Sequence, residues 1–430
     1  MGRASGAGKS FLFLQGPHGP FFYQLAQMLR GAGASVRKVG FNRGDEAFWG
    51  NSASYIPYTG RIEDWPARLE VLFRDHAVSD LVLYGDTRPI HAEAVRAARA
   101  AGVTVHCFEE GYLRPYWVTY ERGGTNGNSR LMELTVPEMR AELAGRDLDL
   151  PDAPSRWGDM RQHVFYGALY HFHVLARNRA YANFRPHRSL TVHQEFRLHL
   201  RRLLSIPHRA LQRIAATRRI KRGGFAYHLV LLQLGHDSSV QSHSPFTSMI
   251  EFLQLCIEGF ASGAPTHHHL VVKAHPLEDG RQPLRAEALR LARAAGISGR
   301  VHFVRGGKLA GLLDQAASTV TVNSTAAQQA LWRGVPVRAF GAAVYDKPEF
   351  LSTQPIDEYF AAPHQPDTRA YRDYRHYLLE TSQVQGGFYS AHGRRQLLRR
   401  VTDMVLAEQD PYDSLKSASA APRQQLRVVK

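Results

Sequence analysis

Residues 270–276 read Leu270-Val271-Val272-Lys273-Ala274-His275-Pro276. A continuous β-branched and leucine-rich run that stops at a breaker is the pattern of a strand buried in a parallel sheet. Pro276 has no N–H to give to a ladder and biases His275 away from helix, so the strand ends there. His275 is thereby placed at the carboxyl edge of a sheet, where open α/β folds bind ligands. Lys273 lies two residues earlier and shares its face. Taken alone, His275 reads first as a hydrogen-bonded structural histidine. What the rest of the chain brings to the same kind of edge changes that reading.

Strands and helices alternate around this run. Tyr227–Leu234 reads as a strand that opens into a polar loop, Gly235-His236-Asp237-Ser238-Ser239. Helices are expected over about 247–259 and 284–295, with a strand at Val301–Val304. Thr319–Asn323 is a strand that breaks into Ser324-Thr325, which start a helix. Ser or Thr at a helix start caps it, and the same geometry offers N–H groups to a phosphate. A last strand covers Val335–Phe340, and helices from 367 to about 408 close the fold. His267-His268-His269 are consecutive on a strand, point to opposite faces and cannot chelate one ion together.

The N-terminal half repeats the pattern. Phe11–Gln15 is a buried strand, and the loop Gly16-Pro17-His18-Gly19-Pro20 follows it. Further strands are expected at 35–41, 80–86 and 103–108. The last runs into Glu109-Glu110-Gly111-Tyr112-Leu113-Arg114-Pro115. Two carboxylates buried together push one pKa up, which suits a base or nucleophile; a solvated pair in a loop is the plain alternative. Arg114 can hold one of them ionised. Thr125-Asn126-Gly127-Asn128-Ser129 is a polar, turn-rich loop nearby in sequence. Such alternation predicts an α/β fold of two Rossmann-like, doubly wound domains. The expected boundaries are a flexible N-terminus at 1–10, a first domain at 11–222 and a second at 223–365. Closing helices at 366–410 and a disordered tail at 411–430 complete the chain.

At 430 residues, with 44% hydrophobic and 21% charged residues, the chain has room for two globular domains with real cores. Its two cysteines, Cys107 and Cys256, match neither a zinc nor a disulfide spacing, and point to a reducing, cytoplasmic setting. No apolar run reaches the length of a membrane span, and no signal-peptide core follows Met1–Ser10. Gly6-Ala7-Gly8-Lys9-Ser10 lacks the first glycine and the preceding strand of a nucleotide P-loop. Asp147-Leu148-Asp149 matches the acidic triplet of metal-dependent sugar transferases by chance. The net charge of +16 is concentrated: residues 151–222 hold fifteen Lys and Arg against Asp152, Asp159 and Glu195. A segment this basic and aromatic attracts a polyanion or an anionic membrane face; a solvated helical face is the alternative. No nucleic-acid reading module accompanies it.

EEGYLRP, LQLGHDSSVQSHSPF, KAHPLEDG, VNSTAAQQAL and FGAAVYDKPEF, in that order from about Phe11 to Tyr389, resemble the capsule polysaccharide biosynthesis/export family of the KpsS and LipB type. The acidic pair, the His-Pro and the Ser-Thr also resemble motifs of bacterial transferases that use CMP-activated sugars. Two departures stand out. Ala274 stands where relatives often carry a second histidine, and Glu278-Asp279 where they carry an arginine. The resemblance implies a GT-B glycosyltransferase with its active site in the cleft between two domains. It would move Kdo with retention from CMP-β-Kdo to a phosphatidylglycerol-type lipid, starting the linker of a capsule polymer. A transferase for another CMP-activated or capsule sugar, or a non-catalytic capsule assembly/export protein docking at the membrane, is the alternative.

In that reading Glu110 or Glu109 is the base or nucleophile, and His275 assists departure of CMP. Lys273, His275, Pro276, Ser324, Thr325, Asn323, Gln233, Asp237 and Ser238 line the donor side. Arg114, Asn126 and His18 line the acceptor side. No metal or other cofactor is expected. The protein would sit at the cytoplasmic face of the inner membrane through segment 151–222, with other capsule proteins as possible partners.

Overall fold

The computed structural model describes residues 5–146, 160–183, 206–235, 238–278 and 280–417. The chain divides into two compact units. Unit 1 comprises Met1–Arg130, Pro137–His187 and Arg375–Lys430; unit 2 comprises Leu131–Val136 and Arg188–Tyr374. Each is an α/β layer structure, as the alternation of strand and helix patterns predicts.

Unit 1 carries β1 (Ser10–Phe13), β2 (Ser35–Gly40), β3 (Tyr55–Pro57), β4 (Asp80–Tyr84), β5 (Thr104–Glu110) and β6 (Trp117–Arg122). Its helices include α1 (Phe21–Gly31), α2 (Arg43–Ala47), α3 (Trp65–Asp75), α4 (Pro89–Ala100), α5 (Val136–Glu142) and α6 (Met160–Arg177). Strand alternation splits β1 and the residue that follows it cleanly. Phe11 and Phe13 enter a core with α1 and the helix Ala391–Leu406, while Leu12 and Leu14 enter another with α3 and α4. Both faces are covered, so the strand reads as an unbroken apolar run.

The parallel sheet is extended at one edge by two antiparallel strands. β6 pairs with β5, and a short strand from the far end of the chain, Gln383–Gln385, pairs with β6. The sheet is therefore mixed, where the alternation alone predicted a parallel one. The first residues of 411–430 form a helix, Pro411–Lys416, with Tyr412 and Leu415 buried; residues 418–430 lie outside the described ones.

Unit 2 carries β7 (Tyr227–Leu231), β8 (His269–Ala274), β9 (Val301–Arg305), β10 (Ala316–Thr321) and β11 (Val337–Ala339), all parallel, in the order β11-β10-β7-β8-β9. The opening stretch is thus an interior strand, and it ends at Ala274 just before His275. The histidine run separates across the sheet as its spacing requires. His268 Nδ1 meets His228 Nε2 at 3.0 Å, whereas His269 Nδ1 meets His302 Nε2 at 2.8 Å. Burial lowers the pKa of His228 to about 3, so that imidazole stays neutral. These pairs lie toward the amino ends of the strands, away from His275. Lys221-Arg222-Gly223 close the helix Ile206–Gly223.

Candidate functional site

The carboxyl edge of unit 1 gathers an acidic group in a ring of hydroxyls. Glu109 and Glu110 are the last two residues of β5, and alternation sends them to opposite faces. Glu110 follows Phe108 onto the α1 face, and Glu109 follows Cys107 onto the other. They do not form the shared carboxylate site that their adjacency implied. Both are half-buried. Glu110 Oε1 accepts hydrogen bonds from Tyr84 Oη at 3.3 Å and from Tyr389 Oη at 3.2 Å. His163 on α6 stacks on Tyr389, 4.0 Å between ring centroids. Burial, with the Glu110 charge beside them, pushes both tyrosine pKa values well up, so the phenols remain donors. Glu109 Oε1 instead accepts the Glu110 N–H at 2.9 Å. Arg114, expected to hold a carboxylate ionised, turns back on its own loop, where its Nε donates to Gly111 O at 3.2 Å. Two tyrosines therefore take the place that the sequence reading gave to an arginine.

The turn after the glutamates is held from far away in the chain. Tyr112 N–H and Leu113 N–H donate to Gln383 Oε1 at 2.9 and 3.3 Å, and Gln383 Nε2 donates to Thr119 Oγ1 at 3.0 Å. Gly111 is required by space. A Cβ there would lie 2.2 Å from Trp117 O and 2.9 Å from Leu113 O, both backbone atoms that cannot swing aside. Gly111→Ala is expected to lower stability by about 2 kcal/mol or more, the usual scale of overpacking. Denaturant unfolding measures it, and a variant as stable as the wild type would show that the turn has slack.

Asn126 and His18 flank this edge. Asn126 has φ +54°, in the left-handed region that asparagine tolerates, and its N–H donates to Tyr112 Oη at 2.7 Å. Asp86 anchors the same loop through Thr125 N–H (2.9 Å) and Asn128 Nδ2 (3.1 Å). Tyr112 Oη itself donates to Glu121 Oε1 at 2.7 Å, and burial raises that carboxyl to about 7. His18 stacks on Tyr170 of α6, 4.3 Å between centroids. Beneath it, Tyr170 Oη accepts from Asn42 Nδ2 at 2.7 Å and donates to Asp45 Oδ1 at 3.2 Å.

The carboxyl edge of unit 2 gathers polar groups of another kind. Lys273 is 5% exposed, and among the described residues no carboxylate pairs with it. Burial alone lowers its pKa to about 8. Leu277 N–H donates to His275 Nδ1 at 3.1 Å, which assigns the neutral tautomer with its proton on Nε2. Gln233 and Asn323 clasp each other: Gln233 Nε2 donates to Asn323 Oδ1 at 2.9 Å, and Asn323 N–H to Gln233 Oε1 at 3.0 Å. Ser324 and Thr325 follow, both half-buried.

The Ser-Thr pair does not cap a helix. The helix begins at Ala327, and Ser324 Oγ accepts from Ala326 N–H at 3.2 Å in a local turn. That helix has five residues, Ala327–Leu331, so its dipole adds little to what the side chains do. Tyr345, from the FGAAVYDKPEF stretch, donates its hydroxyl to Ser324 O at 2.8 Å and fixes the turn. Pro276 ends the β8 run as expected. Asp237 and the side chain of Ser238 lie outside the described residues.

Sequence reasoning missed Tyr84, Tyr389, Gln383 and Tyr345. Tyr84 closes a strand at the same carboxyl edge as Glu110, and that was the available signal. Tyr345 lies in the quoted FGAAVYDKPEF stretch but was given no role there, and Tyr389 and Gln383 reach their positions through tertiary contacts that a single sequence does not announce.

A sequence model described as capsule polysaccharide biosynthesis protein matches residues 79–389. The capsule polysaccharide export protein KpsS of Escherichia coli is 30% identical over 384 residues, covering 89% of this chain and 97% of that protein. The capsule polysaccharide modification protein LipB of Neisseria meningitidis serogroup B is 29% identical over 387 residues, covering 89% and 92% respectively. Among solved structures, Thermosulfurimonas dismutans KpsC, a beta Kdo 2,7 transferase, matches with a TM-score of 0.45 at 13% identity, covering 91% of this chain and 99% of that one.

Proposed function

This chain belongs to the capsule polysaccharide biosynthesis protein family, and from that premise we propose that it is a retaining glycosyltransferase that moves Kdo from CMP-β-Kdo to a phosphatidylglycerol-type lipid. The observation that carries the reading is Lys273. A buried lysine that pairs with no carboxylate among the described residues is a cation held in reserve for an anionic ligand, and it stands two residues before His275 on the edge where α/β sheets bind ligands.

The donor phosphate is assigned to Lys273, His275 and the Ser324-Thr325 turn, with Gln233 and Asn323 shaping the floor. As the anomeric C–O bond breaks, CMP leaves with the electron pair, and His275 Nε2–H donates a hydrogen bond to the phosphate oxygen that gains charge. Glu110 attacks the anomeric carbon, and the acceptor hydroxyl then displaces it, losing its proton to a base. Two inversions give net retention. The Tyr84 and Tyr389 hydroxyls support Glu110 over Glu109, because they hold its carboxylate in one orientation. The leaving group carries its charge on a single phosphate, which Lys273 and hydrogen-bond donors can stabilise, so the proposal assigns no metal.

The test is incubation of the purified protein with freshly generated CMP-Kdo and a fluorescent lysophosphatidylglycerol, read by mass spectrometry. One added Kdo is the expected product. Binding of CMP without product would move the assignment to another CMP-sugar or acceptor. Neither product nor CMP binding would overturn the glycosyltransferase reading in favour of a non-catalytic assembly role.

A further inference from the structure

Helix α6 has an outer face that a solvated helix does not carry. Val164 is 66% exposed, Phe165 60%, Phe172 54% and Leu175 50%. With 3.6 residues per turn, these four and the exposed Ala168 fall within an arc of about 100°. Six of the exposed large apolar side chains among the described residues fall within the basic segment 151–222, four of them on this helix. The inner face is fixed to unit 1. Tyr170 reaches Asn42 and Asp45, His163 stacks on Tyr389, and Gln162 Oε1 accepts the Ala391 N–H at 3.0 Å. The outer face is therefore held in place, and it is apolar although the inner one is already satisfied.

We infer that the outer face of α6 is a docking surface for an anionic phospholipid bilayer, with the helix lying in the plane of the interface. The charge pattern selects this occupant. From Met160 to Asn183 the chain carries Arg161, Arg177 and Arg179 and no carboxylate, and the wider segment holds fifteen basic residues against three acidic ones. Arginines at both ends of an apolar stripe place guanidinium groups among lipid phosphates while phenylalanine and leucine enter the acyl boundary. The stripe runs over twelve residues, Val164 to Leu175, roughly 16 Å from first to last at 1.5 Å rise per residue, too short to cross a bilayer and long enough to lie on it. No described helix is long and apolar enough to span.

The inference deepens the lipid-acceptor reading and rests on it only for its purpose. His163 of α6 stacks on the tyrosine that holds Glu110, so docking this helix brings the candidate carboxylate of the same unit to the lipid surface.

The full-length protein is tested by co-sedimentation with vesicles of phosphatidylcholine alone and of phosphatidylcholine mixed with phosphatidylglycerol. Binding to the mixed vesicles is expected, weakening as salt is raised. The double variant Phe165→Ser, Phe172→Ser is expected to lose at least about tenfold in partitioning at an unchanged melting temperature. Should that variant fold poorly, Val164→Ser with Leu175→Ser reads the same face. A wild type that stays in solution with both vesicle types overturns the inference, as do folded variants that partition like the wild type. So does a wild-type dimer that ignores vesicles and becomes monomeric in the variant, which would make the face an interface between copies. Vesicle binding needs no donor, so it stands or falls apart from sugar transfer. Transfer to a short-chain acceptor free in solution is expected to survive in the variants.

Discussion

Glu110→Gln is expected to abolish sugar transfer, a loss of roughly 10³-fold or more in kcat/KM, in a protein that still folds and still binds CMP. The substitution is chosen for what it keeps. A glutamine carbonyl can still accept from Tyr84 Oη and Tyr389 Oη, the two donors that hold Oε1 at 3.3 and 3.2 Å. The local hydrogen bonds therefore survive, while the amide can serve neither as a nucleophile nor as a base. Glu109→Gln should fall far less. Its Oε1 serves the Glu110 N–H from the other face of the sheet, a bond that a glutamine oxygen can also accept. Tyr389→Phe removes one donor to the carboxylate and is expected to lower kcat by about tenfold, with KM for the donor little changed. Steady-state assays of the three variants, with CMP binding as a fold control, decide the assignment. Loss in Glu109→Gln with activity kept in Glu110→Gln would transfer the role to the neighbour. Activity kept in both would end the carboxylate mechanism.

The parts of this arrangement that could be read in the sequence are those with a short-range cause. β1 and β8 are buried on both faces, and continuous apolar runs announced them. His275 at a strand end followed from one proline. The histidine run was read as divided between two faces, and it is, because strand alternation is a local rule. The parts that escaped have long-range causes. Gln383–Gln385 is a three-residue strand, polar at both ends, whose partner β6 lies more than 260 residues earlier in the chain. Nothing in its own composition marks it. With it come Gln383, which holds the turn after the glutamates, and Tyr389, which holds Glu110.

Two errors came from reading adjacency as proximity. Glu109 and Glu110 look like a pair, yet a strand places consecutive side chains on opposite faces. Arg114 is only four residues from Glu110, but the turn at Gly111 brings its side chain back onto its own backbone. The Ser324-Thr325 reading erred by two residues. The hydroxyl of Ser324 bonds Ala326 N–H in a turn before the helix begins, a competition that short polar side chains often win over capping.

Lys273→Met should shift stability and binding in opposite directions, raising the melting temperature near pH 7 while weakening CMP binding by about 10²-fold. The stability half follows from the pKa. Burial lowers Lys273 from 10.5 to about 8, with no compensating charge among the described residues. Below pH 8 the lysine is protonated in both the folded and unfolded states, and folding must desolvate a cation. At 1.36 kcal/mol per pKa unit this costs roughly 3 kcal/mol. Between pH 8 and 10.5 the unfolded chain binds more protons than the folded one, so the penalty is relieved as pH rises through that window. Methionine has a similar volume and no charge, so it removes the penalty at every pH. The binding half follows from the same burial. A phosphate entering a site of low dielectric meets a cation worth far more there than in water. Wild-type affinity for CMP should therefore fall as pH rises through about 8, while Lys273→Met should show no such fall. Calorimetry between about pH 7 and 9, paired with melting curves, measures both, and a bound phosphate should move the wild-type midpoint upward by favouring the ammonium. A destabilised variant with unchanged CMP affinity would make Lys273 a structural residue and take away the main support for the donor site. A stabilised variant that no longer binds is the result expected of a residue kept for its ligand at a cost to the fold.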